Sequence, residues 1–335
     1  MNVLWYTVAH NVNHEDLMRF MMVIFLFLCL ALHAAAADPW PAERTADAVS
    51  LAGVDPAFNN ENMSGAAWNP LTRTLWLVNN SGRFYALVED DKGSFMVATN
   101  ALGVKARWAP GGDLESICQA DFNEPVVYLL DENGWIREYD VSYYGDVKES
   151  RNWDIRSNCP ETHGEGAEAI TFVPDDWLRK RGFVSAGGKP YASTNGMGGV
   201  MFVGHQRGGY IHVLDLSRTS NSYNYVGRYK TGREETAGLD FERSSGLLYI
   251  WHNTGPNYLE MSDLSCVPEG NEIRLRRLAE FVGPRKGNLE GFAIASGVGS
   301  YSWCFITDDS NRGGEAVMWY KCFRMPGSFS HLLKR

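Results

Sequence analysis

The sequence has no GxSxG, HExxH or P-loop pattern, so the usual motif-borne routes to serine hydrolysis, zinc proteolysis and nucleotide binding are missing. No CxxC appears, which removes the usual spacing of a structural zinc site. No basic run of five or more residues occurs, and the net charge is -9. Nucleic acid is therefore a poor candidate for the main partner, because phosphate binding needs clustered Lys and Arg. Cysteine is sparse, with 6 in 335 residues. Glycine and aromatics are not: 34 Gly and 13% Phe, Trp and Tyr suit many short strands joined by tight turns.

A repeat organises the chain. Residues 164–173 read GEGAEAITFV, and relatives occur as NMSGAAW (62–68), DLESICQ (113–119), ETAGLDF (235–241) and NLEGFAI (288–294). Each has a polar residue, a key position, a small residue and then an apolar β-type run. The key positions Ser64, Glu115, Glu168, Ala237 and Glu290 are 51, 53, 69 and 53 residues apart. A Gly-rich insertion at residues 174–198 accounts for the long interval. A period near 52 residues predicts repeated blades or a solenoid. Each unit yields up to four strands, so the expected fold is all-β. It is a five-bladed β-propeller with four antiparallel strands per blade, a six-bladed ring being the alternative. The fifth unit lacks a fourth strand, which residues 48–53 would supply from the N-terminal side. The expected organisation is an export segment at 1–37, a linker with the ring-closing strand at 38–61, the propeller at 62–325 and a tail at 326–335.

The start of each first strand and the end of each second strand share one rim of the channel. Glu115, Glu168 and Glu290 are therefore expected to ring one mouth, with Asp113, Glu235 and Asn288 beside them. The second-strand ends are Asn79–Asn80, Asp131–Glu132, His205–Gln206, His252–Asn253 and Asp308–Asp309. Crowded carboxylates want a cation, and a set of carboxylate and amide oxygens suits Ca²⁺. The expected metal ligands are Glu115, Glu168, Glu290, Asp131 and Asp308. The expected ligand rim is Asn79, Asn80, Glu132, His205, Glu235, His252, Asn253 and Asp309. The alternative is that the glutamates cap backbone N–H groups and the Asn and Asp residues only make turns. Asn62 and Asn79 match the glycosylation pattern by chance, since both fall at the rim.

With these copies laid out, the chain resembles the SdiA-regulated family of exported β-propeller proteins across residues 62–323. That family carries Glu in the second, third and fifth copies and Ser in the first and fourth. Ser64, Glu115, Glu168 and Glu290 match; Ala237 departs, so the fourth copy offers no side-chain oxygen there. The resemblance implies a secreted or periplasmic propeller with a calcium site, and it implies no reaction.

Residues 21–32 are an apolar run behind Arg19, with Ala35 and Ala37 forming a small-x-small site, so cleavage before Asp38 is expected. Retention of this segment as a membrane anchor is the alternative. Cys29 does not fit a lipoprotein site. If export allows a disulfide, Cys304 and Cys322 are the pair to expect; otherwise all five remaining thiols stay reduced. The leading functional expectation is an exported propeller that binds calcium and an unidentified small or surface ligand at the acidic rim. A metal-dependent hydrolase of lactones, esters or phosphoesters competes with it, with Asp131, His205 or His252 as base. An adhesive or scaffold surface using Trp177 and Tyr191 is the third expectation.

Overall fold

Turn-forming residues cut the chain into short apolar runs, and the runs pair with their neighbours in sequence. The computed structural model describes residues 37–59, 61–161, 164–297, 301–311 and 315–324. The apolar segment at 21–32, Cys29 and the tail at 326–335 lie outside the described residues. No helix among the described residues is long and apolar enough to cross a membrane. The described residues from Asp38 to Arg324 group as one compact unit.

The first strand, β1 (Val49–Ser50), is followed by β2 (Gly65–Asn69), β3 (Thr74–Asn79), β4 (Arg83–Glu89), β5 (Phe95–Val97) and β6 (Arg107–Trp108). Next come β7 (Leu114–Cys118), β8 (Val126–Asp131), β9 (Trp135–Asp140) and β10 (Lys148–Asp154). They are followed by β11 (Ala167–Pro174), β12 (Gly199–His205), β13 (Tyr210–Leu216) and β14 (Tyr223–Lys230). The remaining strands are β15 (Gly238–Glu242), β16 (Leu247–His252), β17 (Tyr258–Glu269), β18 (Glu272–Val282), β19 (Leu289–Ala295), β20 (Ser302–Asp308) and β21 (Val317–Phe323). Among the described residues these form four sheets. The largest runs β11-β12-β13-β14-β18-β17-β16-β15. It is two antiparallel meanders joined by a single parallel bridge, Lys230 to Arg274.

The fold is all-β and propeller-like. The first strands β2, β7, β11, β15 and β19 pack side by side in cyclic order, and β19 returns to β2. Apolar clusters fill the space between successive meanders. One of them holds Leu75, Tyr85, Phe95, Phe305 and Trp319, and so ties the last sheet to the first. Four tryptophans, Trp108, Trp153, Trp251 and Trp319, are fully buried.

The N-terminal strand pairs on the last sheet, with Val49 opposite Trp319 and Ser50 opposite Met318. It is shorter than the expected run 48–53, because Ala52–Val54 turns into a 3₁₀ helix. The insertion after β11 forms α1 (Asp175–Arg181), ended by Gly182 in the left-handed region at φ 67°. It leaves β11 at the end remote from Glu168, roughly 20 Å away at strand rise. It packs there against β11, β12 and β17. Trp177 and Tyr191 are partly buried against the core there, and the Trp177 indole N–H donates to the Arg243 carbonyl at 3.0 Å. Neither is the fully exposed ring expected of an adhesive surface, though each keeps part of its face accessible. No disulfide forms: all five cysteines from Cys118 to Cys322 are free. Cys304 lies opposite Tyr320 in the ladder and is buried, while Cys322 is only partly buried.

The glycine that follows three of the key positions, Gly65, Gly238 and Gly291, has a steric cause. A Cβ at Gly238 would stand 2.4 Å from the Glu290 carbonyl oxygen, and one at Gly65 would stand 2.5 Å from that of Glu115. Adjacent first strands approach this closely only where one of them has no side chain. We expect Gly238→Ala to cost about 1–3 kcal/mol by overpacking. Gly53→Ala, which meets nothing within 4 Å, should be close to neutral. Denaturant unfolding of the two variants compares them, and equal midpoints would remove the close-approach account.

Candidate metal centre

The three glutamates share a backbone device. In β7–β8, Leu114 pairs with Asp131 and Ser116 with Leu130, so the register shifts at Glu115. In β11–β12, Ala167 pairs with His205 and Ala169 with Gly204, so it shifts at Glu168. In β19–β20, the shift falls between Leu289 and Phe292, at Glu290 and Gly291. The other two meanders begin their ladders at Gly65 and Gly238, one residue after Ser64 and Ala237. A bulge leaves one residue unpaired and re-aims its side chain. Here it turns each glutamate toward the axis.

Carboxylate oxygens of Glu115, Glu168 and Glu290 lie within 4.8 Å of one another, and all three side chains are buried. The residues are 6%, 6% and 8% exposed. The Ser64 hydroxyl stands between Glu115 and Asp309 and donates to Asp309 at 3.1 Å. Burial, then Asp113, Asp309 and Glu132, push the Glu115 carboxyl up to about 8. Burial, then the neighbouring glutamates, push Glu168 well above its ordinary value. Burial, then Asp309 and Glu168, do the same to Glu290. Glu115 also belongs to a second close group with Asp113 and Glu132.

A rule governs the residues after each second strand. The first of each pair is buried and spent on local structure; the second faces the axis. Asp131 accepts the Asn133 backbone N–H at 3.0 Å and pairs with Arg137 at 3.2 Å. Asp308 accepts the Ser310 N–H at 2.8 Å and pairs with Arg285. Neither joins the three glutamates, so their expected role as metal ligands is corrected. Asn79 is fully buried, accepts the Arg83 N–H at 2.9 Å and donates to Glu61, which removes it from the rim. His205 Nδ1 accepts the Arg207 N–H at 3.0 Å, so Nε2 carries the proton that it shares with the Pro160 carbonyl at 3.1 Å. His252 sits fully buried between the Glu235 carbonyl and Glu260, at 2.7 and 3.1 Å. Asp131, His205 and His252 are therefore all engaged and none is a free base.

The second residues behave otherwise. Asn80 and Asn288 donate to Asp309 at 3.1 and 3.2 Å, and Asn253 donates to Asn288 at 2.8 Å. Burial and Asp113 push Glu132 up to about 7. Burial does the same to Glu235, against the Gln206 hydrogen bond. Beside Glu235 opens a cleft of about 410 Å³, lined by Glu165, Gln206, Arg207, Glu234 and Thr254. The strand bulges, Glu61 and Glu260 were beyond sequence reasoning. Alternation after each second strand, which sends successive side chains to opposite faces, was the available signal.

No protein-family model matches the chain, and no curated protein matches it. One similar solved structure is a crystal structure of a nidogen/laminin complex, 10% identical over 75% of this chain and 77% of that one, with a TM-score of 0.38. The fold assignment rests on strand pairing and not on this likeness.

The raised carboxyls set a pH dependence. Glu115 has an ordinary value of 4.5 and a folded value of about 8. Between them the folded state keeps a proton that the unfolded chain has released, so stability falls as pH rises. Glu132 and Glu235, at about 7, act in the same direction. His212, lowered to about 3 by burial, acts oppositely, but only below its ordinary value of 6.5. In chelator, the melting temperature should therefore fall from pH 6.5 to pH 8, and Glu115→Gln should flatten that fall. A melting temperature that holds or rises over this window contradicts the crowding.

Proposed function

We propose that this chain is an exported five-bladed β-propeller that holds a divalent cation, Ca²⁺, on its channel axis and binds a ligand at the same rim. Five blades follow from reading the eight-stranded sheet as two meanders joined at one bridge, with β1 completing the last blade. The observation that carries the cation is the set of three buried carboxylates within 4.8 Å of one another. Ionised, such a cluster is unstable without a neutralising partner. Protons or a cation can provide it.

The donor set favours a hard cation. Glu115, Glu168 and Glu290 offer six carboxylate oxygens, and the Ser64 hydroxyl stands beside them. Both rim histidines are engaged elsewhere, so nitrogen donors are missing and the softer metals lose their preferred ligand. The cleft beside Glu235 is the nearest space for a ligand. A binding role is preferred to hydrolysis because Asp131, His205 and His252 are committed to structural contacts. Export rests on the apolar run at 21–32, and the calcium reading agrees with the resemblance to the SdiA-regulated family.

The experiment is a melting curve in calcium and in chelator. Ligation should stabilise the native state by about 2.7 kcal/mol at a hundredfold excess over Kd. Glu168→Gln should act in two directions: it relieves repulsion, raising the melting temperature in chelator, and it shrinks the shift that calcium produces. The exposed control Asp91→Asn should change neither. Identical curves for the wild type with calcium and with chelator would sink the cation and leave the glutamates sharing protons.

A further inference from the structure

The opposite end of the channel is built around a cation. Arg243 follows β15, six residues beyond Ala237 and so roughly 20 Å from the rim at strand rise. Its guanidinium lies over the Phe122 ring, 3.8 Å from the centroid, and faces Phe172 at 5.4 Å. One terminal nitrogen donates to the Gln119 carbonyl at 2.6 Å. Nε is buried and has no acceptor. Among the described residues no carboxylate oxygen stands within 4.0 Å of this guanidinium. A guanidinium has five N–H donors, and one carbonyl with two aromatic faces leaves most of them unused.

The nearby acids do not supply the missing acceptor. Asp240 accepts the Ile294 N–H at 2.6 Å. Glu242 accepts the N–H groups of Ser244 and Ser245 at 2.8 and 2.7 Å. Burial lowers the Arg243 guanidinium from its ordinary value, against the attraction of Asp240 and Asp121. Arg243 also stands between two spaces. On one side is an enclosed cavity of about 20 Å³ walled by Trp68, Trp76 and Phe172. On the other is a cleft of about 110 Å³ lined by Ser244 and Ser296 and also by Asp240 and Glu242, whose carboxylates already accept the backbone N–H groups named above.

We propose that this far mouth binds a small oxyanion of the carboxylate or phosphate type. The planar fork of Arg243 matches two oxygens of such a group, and the Ser244 and Ser296 hydroxyls are the further donors lining the cleft. The cleft holds a single small group and excludes a polymer. This site is independent of the cation at the rim. The channel then carries opposite preferences at its two ends, a cation at the glutamates and an anion at the arginine.

The test is titration calorimetry of the full chain in chelator, with inorganic phosphate in one arm and acetate in the other, at constant ionic strength set with chloride. Trp68 lines the cleft, so tryptophan fluorescence gives a second readout. At least one anion should bind once per chain, and the tighter arm identifies the type. Arg243→Gln should weaken it about tenfold or more, a loss of about 1.4 kcal/mol. Arg243→Lys should fall between, because it keeps the charge and loses the fork. The double variant Ser244→Ala/Ser296→Ala keeps the arginine and its packing, and should weaken binding severalfold. It decides the matter if Arg243→Gln does not fold. Glu168→Gln should bind the anion as the wild type does, which separates this site from the rim. Failure of both anions to saturate below about 10 mM, or unchanged binding in the double serine variant, overturns the proposal.

Discussion

Three carboxylates pressed together on one axis are the constraint around which this protein is arranged. Nothing in the chain forces Glu115, Glu168 and Glu290 to stay within 4.8 Å except the packing of the strands that carry them. Those strands close into a cycle, and the cycle is narrow because Gly65, Gly238 and Gly291 remove side chains where first strands meet. The crowding is therefore a consequence of close backbone approach. Its energy is set against the apolar clusters between the sheets, which are large and continuous around the cycle. A site held in this way is pre-organised: the ring does not have to move to collect its ligands.

The polar residues around the trio divide by face. After each second strand, one residue turns away and holds the local turn, and the next turns to the axis. Asp131 and Asp308 receive turn N–H groups and an arginine each, while Glu132 and Asp309 are left facing the glutamates. His205 makes the same turn contact as Asp131 with a ring nitrogen in place of a carboxylate. Glu61 and the His252–Glu260 pair fix the remaining turns. Glu61 gathers Asn79, Arg83 and Tyr85, and His252 fixes the Glu235 carbonyl. The rim is thus buttressed by a second layer of buried charge that takes no part in the site.

Much of this was legible in the sequence and some was not. The repeat exposed the strand pattern, because each polar–key–small–apolar unit marks a first strand and the turns after it are rich in Gly, Asn and Asp. The trio was legible for the same reason: three copies carry Glu at one position, and one position in a cyclic repeat is one height on the axis. The bulges were not, because nothing in the polar–key–small–apolar pattern marks a one-residue register shift. Asp131 and Asp308 were misread because strand alternation was not applied beyond the last apolar residue. Trp177 and Tyr191 were misread as surface because the insertion's own packing, against Phe241 and Asp215, is tertiary. The free cysteines follow the same lesson: Cys304 and Cys322 lie on neighbouring strands, yet Tyr320 stands opposite Cys304.

The most direct measurement of the central claim is proton release on calcium binding. Carboxyls that burial, and then crowding, hold partly protonated near neutral pH must lose those protons when a cation binds. Titration calorimetry of the chain with calcium at pH 7, in two buffers of different ionisation heat, counts them. The account predicts one cation per chain, net release of at least a fraction of a proton, and a smaller release for Glu115→Gln. Calcium that binds with no proton release, or does not bind at all, would contradict it.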